Sequence, residues 1–125
     1  ERMRPLKTVY DLVEAIRRST PPNHRKKSLS RVFQAIRIKV NEELKKLDHF
    51  LLSFIDELRL GGRIAIISFH SLEDRLVKHH FKNIAKNEKL LIHTKKPLIA
   101  SKDEILTNKR SRSAKLRFAE KVINA

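Results

Sequence analysis

At 125 residues, 40% hydrophobic and 34% charged, the chain is long enough for one modest domain with a real core, and no run approaches a membrane span of eighteen apolar residues. Lysine and arginine number 29 against 14 acids, and the resulting +15 predicts an anionic partner, most simply a nucleic acid. With no cysteine, a disulfide framework and a thiolate metal site are both excluded.

No signal peptide is visible, so the cytoplasm is the expected compartment and no membrane partner is expected. The chain opens on Glu1 instead of methionine, which is read as the mark of a fragment. Residues 5–19 carry Leu6, Val9, Leu12, Val13 and Ile16 at helical spacing, and Thr20-Pro21-Pro22-Asn23 ends that helix. A basic loop, His24-Arg25-Lys26-Lys27, follows, and Ser28 or Ser30 is the expected cap of the longest periodic segment. In it Phe33, Ile36, Val40, Leu44, Leu47, Leu51, Phe54 and Leu58 step by three or four, so one stripe should face a core. The segment exceeds the roughly 8–20 residues of an ordinary helix, which predicts a break, placed near Asp48. Beside the stripe, Gln34, Arg37 and Asn41 fall at i, i+3 and i+7. They are either a set that acts together or a solvated face.

The centre of the chain is a single unit. Gly61-Gly62, the only glycines, read as a turn. The run from Ile64 to Ile67 has no polar alternation, as in a strand buried on both faces of a parallel sheet. Ser68-Phe69-His70-Ser71 closes it, and Leu72, Leu76, Val77 and Phe81 then recur at helical spacing. Ser71 is the expected N-cap, with Asp74 three residues on as an acidic capping-box partner. Ligands of open α/β sheets sit at the carboxyl ends of strands, which is where Ser68, His70 and Ser71 would lie.

The following helix should reach about Lys86, with a turn at residues 87–89 and a strand over 90–93. Pro97 argues against a central strand in its neighbourhood. Ser101 heads a further capped helix, residues 107–113 form a basic loop, and residues 114–123 read as a strand.

Spacing rules against most local chemistries. His79 and His80 are adjacent and cannot share a helical face, and no H-x-x-x-H pattern exists, so no metal site is expected. Ser68, His70 and Asp74 lie too close in sequence for a hydrolase triad, with no nucleophile elbow around them. There is no G-x-G-x-x-G and no Walker motif. Gly61-Gly62 precedes its strand, so it cannot be a phosphate-cradling turn.

Four stretches carry a family resemblance: residues 31–44 (RVFQAIRIKVNEEL), residues 61–75 (GGRIAIISFHSLEDR), residues 94–97 (TKKP) and residues 110–117 (RSRSAKLR). With them the chain resembles the carboxyl-terminal half of the bacterial small-subunit ribosomal-RNA cytosine-N4 methyltransferases, over nearly all its length. It departs from the family pattern at Leu60, Ala100 and Lys109, which replace usual prolines and remove no chemical group.

The resemblance implies an α/β fold: the carboxyl-terminal part of a Rossmann-like class I methyltransferase sheet, preceded by helices of an inserted helical domain. Residues 1–45 would end the insertion and residues 46–125 would belong to the catalytic domain. It implies S-adenosylmethionine as methyl donor, with the donor loop absent from this chain, and small-subunit ribosomal RNA as partner. Ser68, His70 and Ser71 are then the candidate catalytic residues. Arg31, Gln34, Arg37, Asn41, Lys95, Lys96, Arg110, Arg112 and Lys115 are the candidate RNA-binding residues. Whether His70 contacts the base, contacts phosphate or braces the loop is open, as is a homodimer. The alternative function is a basic RNA-binding module without catalysis.

Overall fold

The computed structural model describes residues 5–123, and the chain divides into two compact units, Glu1–Glu43 and Leu44–Ala125. Residues 1–4 and 124–125 of the two expected segments lie outside the described residues.

In the first unit, helix α1 (Val9–Ser19) begins later than the apolar spacing implies. Thr8 and Asp11 close a capping box there: Asp11 N–H donates to Thr8 Oγ1 at 3.2 Å, and Thr8 N–H donates to Asp11 Oδ2 at 2.9 Å. Ile16 is buried, and α1 packs on α2 (Arg25–Asn41). A single 3-10 turn, Pro22–His24, feeds α2, so neither Ser28 nor Ser30 is its cap. The expected core stripe fails on α2: none of its residues is buried, and Val40 is 74% exposed.

The break in the long periodic segment falls at Glu42, not near Asp48. Glu42 adopts a left-handed conformation with φ 51°, ending α2 before α3 (Glu43–Glu57). Arg37 and Asn41 reach across this corner to the carboxylate of Glu43, at 3.1 and 3.3 Å. Asp48 does not interrupt α3 because its side chain is engaged elsewhere. It accepts from His80 Nε2 at 2.7 Å instead of competing for nearby backbone.

The second unit is a four-stranded sheet with α3 and α4 (Ser71–Lys86) supplying its core. β1 (Arg63–Ser68) and β2 (Leu90–Ile92) both pair antiparallel with β4 (Lys115–Lys121), in the order β1-β4-β2. β3 (Leu98–Ile99) pairs with β4 as a two-residue strip just after Pro97, and α5 (Lys102–Thr107) follows. Since β1 and β2 both oppose β4, they run parallel to each other, joined by α4 as a crossover.

The parallel pairing and two-sided burial expected of β1 are therefore corrected. Its neighbour β4 is antiparallel, and only alternate residues turn inward: Ile64 and Ile66 pack on the core while Ile67 is 58% exposed. One sheet face carries helices; the other carries Ala65, Ile67, Leu116 and Phe118, which pair across β1 and β4 in register.

The core joins Leu51, Phe54 and Ile55 of α3 to Val77 and Phe81 of α4, Leu90 of β2 and Ala119 of β4. Phe54 and Phe81 meet with ring centroids 5.9 Å apart. Burying each large side chain of this set contributes roughly 1.5–3 kcal/mol. At the start of β1, Gly61 takes φ +73°, and a Cβ on Gly62 would come within 2.7 Å of Arg59 O. The turn locks onto the end of β4: Gly61 N–H donates to Lys121 O at 2.8 Å, and Lys121 N–H donates to Gly62 O at 2.9 Å.

Candidate functional site

The carboxyl end of β1 carries the expected tip. Ser68 is buried, Phe69 and Ser71 are exposed, and the His70 ring is buried. The cap is shifted by one residue from the expectation. His70, in extended backbone, is the N-cap of α4, and its Nδ1 accepts from Glu73 N–H at 3.3 Å. Glu73, not Asp74, closes the turn in return: its carboxylate accepts from Phe69 N–H at 2.9 Å. A histidine can replace serine here because a ring nitrogen with a lone pair accepts as a hydroxyl does. That acceptance assigns the ring proton to Nε2. The Nε2 atom is buried without a hydrogen bond, 3.4 Å from Glu73 Oε1 and poorly aimed at it.

Asp74 is freed from capping and does something the sequence reading missed. Its carboxylate receives the guanidinium of Arg117 in a fork: Nε donates to Oδ1 at 2.7 Å and Nη2 to Oδ2 at 3.2 Å. Both residues are buried, so the pair ties the first turn of α4 to the middle of β4. The hydrogen bond from Arg117 holds the Asp74 carboxyl below the usual carboxylate range, against the opposing effect of burial. The signal was present: Asp74, Val77 and Phe81 fall at i, i+3 and i+7, which places Asp74 on the buried face.

Lys115 is brought to the tip by register, with its Cα opposite that of Ser68. Lys95 and Lys96 follow β2 and are exposed. Arg110 and Arg112 are exposed on a 3-10 turn, Lys109–Ser113, started by Asn108, whose Oδ1 accepts from Arg110 N–H at 3.2 Å. Arg31, Gln34, Arg37 and Asn41 lie on α2 in the first unit. Of the four, Arg37 and Asn41 converge on Glu43. Outside this set, His93 stacks on Phe118, centroids 5.1 Å apart, beside an Arg63–Glu120 ion pair of 2.9 Å.

Replacing His70 with alanine removes an N-cap and should cost about 1 kcal/mol in a thermal or urea melt. Turnover of the protein carrying it should then follow the folded fraction. A hundredfold loss in a fully folded His70→Ala variant would instead place the ring against substrate.

Fold and tip together define a strongly basic α/β chain with Ser68, His70 and Ser71 at the end of β1. A family model described as the MraW methylase family matches residues 1–122, and the chain belongs to that family. It is 56% identical over 121 residues to a Nostoc protein named ribosomal RNA small subunit methyltransferase H, covering 94% of this chain and 39% of that protein. A Thermosipho africanus protein of the same name is 50% identical over 123 residues, covering 95% of this chain and 41% of its own length. A third, from Trichodesmium erythraeum, is 48% identical over 122 residues, with 95% and 42% covered. The chain thus spans about two fifths of the length of these relatives.

Proposed function

We propose that the chain is the RNA-holding part of an enzyme that methylates the exocyclic N4 of a cytosine in small-subunit ribosomal RNA. The observation that carries this reading is the match of residues 1–122 to a methylase family, in a chain of charge +15. In support, two parallel strands flank an antiparallel third, with a crossover helix between them. That arrangement fits the end of a doubly wound sheet, whose ligands lie at strand tips. Among the described residues, no helix is long and apolar enough to cross a membrane.

S-adenosylmethionine is the donor the reading implies; it supplies an electrophilic methyl group. The residues present do not fit it by themselves. The one glycine turn precedes β1, and its Gly61 N–H is spent on Lys121 O. We place the donor loop in the length of the relatives that this chain does not span. Calorimetric titration of the chain with S-adenosylmethionine should therefore show no saturable binding in the micromolar range; such binding would overturn this division.

What the chain's own residues do is hold and orient. The amine of cytosine is a poor nucleophile, its lone pair delocalised into the ring, so alignment supplies much of the rate. The base must also leave its stack to be reached. Ser68, His70 and Ser71 form the edge of that pocket in this reading. His70 is a positioning residue that fixes the turn, and the exposed Ser71 hydroxyl is free to meet the base or its phosphate. The basic residues of both units grip the backbone.

The test is transfer of labelled methyl from S-adenosylmethionine to small-subunit RNA by the complete protein, followed by digestion to nucleosides. N4-methylcytidine is expected. A label on another nucleoside overturns the assignment, and RNA binding without transfer favours a module that only binds.

A further inference from the structure

We propose that the cleft between α4 and the chain leaving β2 binds a phosphodiester of the RNA substrate, away from the β1 tip. Lys78, Lys82 and Lys95 are its phosphate contacts. The inference rests on the reading above that the substrate is RNA.

The cleft holds about 370 Å3. That lies within the roughly 300–1,000 Å3 of small-ligand sites and is room for one nucleotide unit. Phe81 and Ile92 form its apolar floor, and Lys78, Lys82, Lys95 and Arg117 stand around it. These cations come from three separate places in the sequence: α4, the segment after β2, and β4. Thr94 fixes the segment that carries Lys95, because its Oγ1 accepts from Phe118 N–H at 3.1 Å and sits 3.4 Å from Phe118 O.

Charge balance argues for an anion. Lys78 and Lys82 are i and i+4 on one helix, a like-charge pair that disfavours the helix in isolation. The nearby carboxylate, Asp74, feels Lys78 but is already held in the fork of Arg117, so the cations around the cleft outnumber it. Lys78, Lys82 and Lys95 make no hydrogen bond or ion pair among the described residues. The acids of α4 lie in its first turn, and Glu73 is tied to Phe69. Lysine stems lie readily along apolar surface with their heads in water, and a phosphate with its sugar would use both the heads and the floor.

The test compares two triple variants of the complete protein. Lys78→Gln/Lys82→Gln/Lys95→Gln empties the cleft of lysine, and Lys46→Gln/Lys86→Gln/Lys102→Gln removes equal charge elsewhere. RNA affinity is measured against salt, with a thermal melt of each variant. The slope of log affinity on log salt should become less negative by about 0.7–0.9 in the cleft variant, the change expected for one phosphate lost. KM for RNA should rise with kcat unchanged, and the control should leave the slope within about 0.3 of wild type. Equal slopes in the two variants, or an unchanged slope in the first, overturn the proposal while leaving the methyltransferase reading intact. Wild-type protein that binds no RNA overturns both. Millimolar inorganic phosphate is the second arm. Stabilisation of wild type but not of the cleft variant, with RNA binding equal in the two, would make this a free-phosphate site and overturn the RNA assignment. If the triple variant melts early, the exposed single change Lys82→Gln should still weaken RNA binding several-fold at fixed salt, and unchanged affinity overturns the proposal.

Discussion

Asp74→Ala should destabilise the sheet unit by about 3–5 kcal/mol, the usual cost of stranding one partner of a buried ion pair. The stranded group is Arg117, held on the inner face of β4 with its forked hydrogen bonds to Asp74 gone. Replacing both partners together, as Asp74→Leu/Arg117→Met, should cost far less, because no uncompensated charge stays behind. Urea melts of the single and double variants decide it; equal losses would mean that the pair contributes attraction beyond what packing replaces. The pH dependence has a definite sign. Asp74 is held below its ordinary value by Arg117, so the folded state binds this proton less readily than the unfolded chain. The pair's contribution is complete above the unfolded carboxyl pKa, about 3.9, and is lost as pH falls from there through the lowered folded value. Wild type and Asp74→Ala should therefore converge in stability below about pH 4. A constant difference across that range would contradict the linkage.

Lys121→Met should cost roughly 2–4 kcal/mol, from one buried and one half-buried carbonyl left without a donor at about 1–3 kcal/mol each. The buried Lys121 ammonium donates to Ile55 O and Leu58 O, both at 2.8 Å. It thus serves as the carboxyl-terminal cap of α3, where a cation also meets the negative end of the helix dipole. Methionine matches the aliphatic stem and removes only the charge and its donors. A loss below about 0.5 kcal/mol in a thermal melt would mean that water reaches the carbonyls.

These two features show where sequence reading succeeds and where it stops. The α4 stripe, the Ser101 cap and the strand at the chain's end were legible because each is a local pattern. Ser101 Oγ accepts from Glu104 N–H at 3.2 Å, as the spacing implied. Whether β1 pairs with a parallel or an antiparallel neighbour was not legible, since an apolar run of four is the same in either and its partners on β4 lie about fifty residues away. The His70 cap was hidden because serine is the commoner cap and stands next to it. Asp74 was read as a cap partner when its helical position put it inside. Lys121 looked like one of many surface cations, and only the sheet register shows it turned inward beneath α3. The long stripe misled for a physical reason. One left-handed residue, Glu42, splits it, and only the portion on α3 is buried. At the tip, the sequence placed Ser68, His70 and Ser71 together but could not say which of them faces solvent.

The central claim is that this chain grips RNA electrostatically while the donor is held elsewhere. Equilibrium binding to small-subunit RNA as a function of salt tests it most directly. With about five phosphate contacts, log affinity should fall against log salt with a slope of roughly −4. A flat salt response would mean that the +15 charge does not serve RNA binding, and would contradict the account.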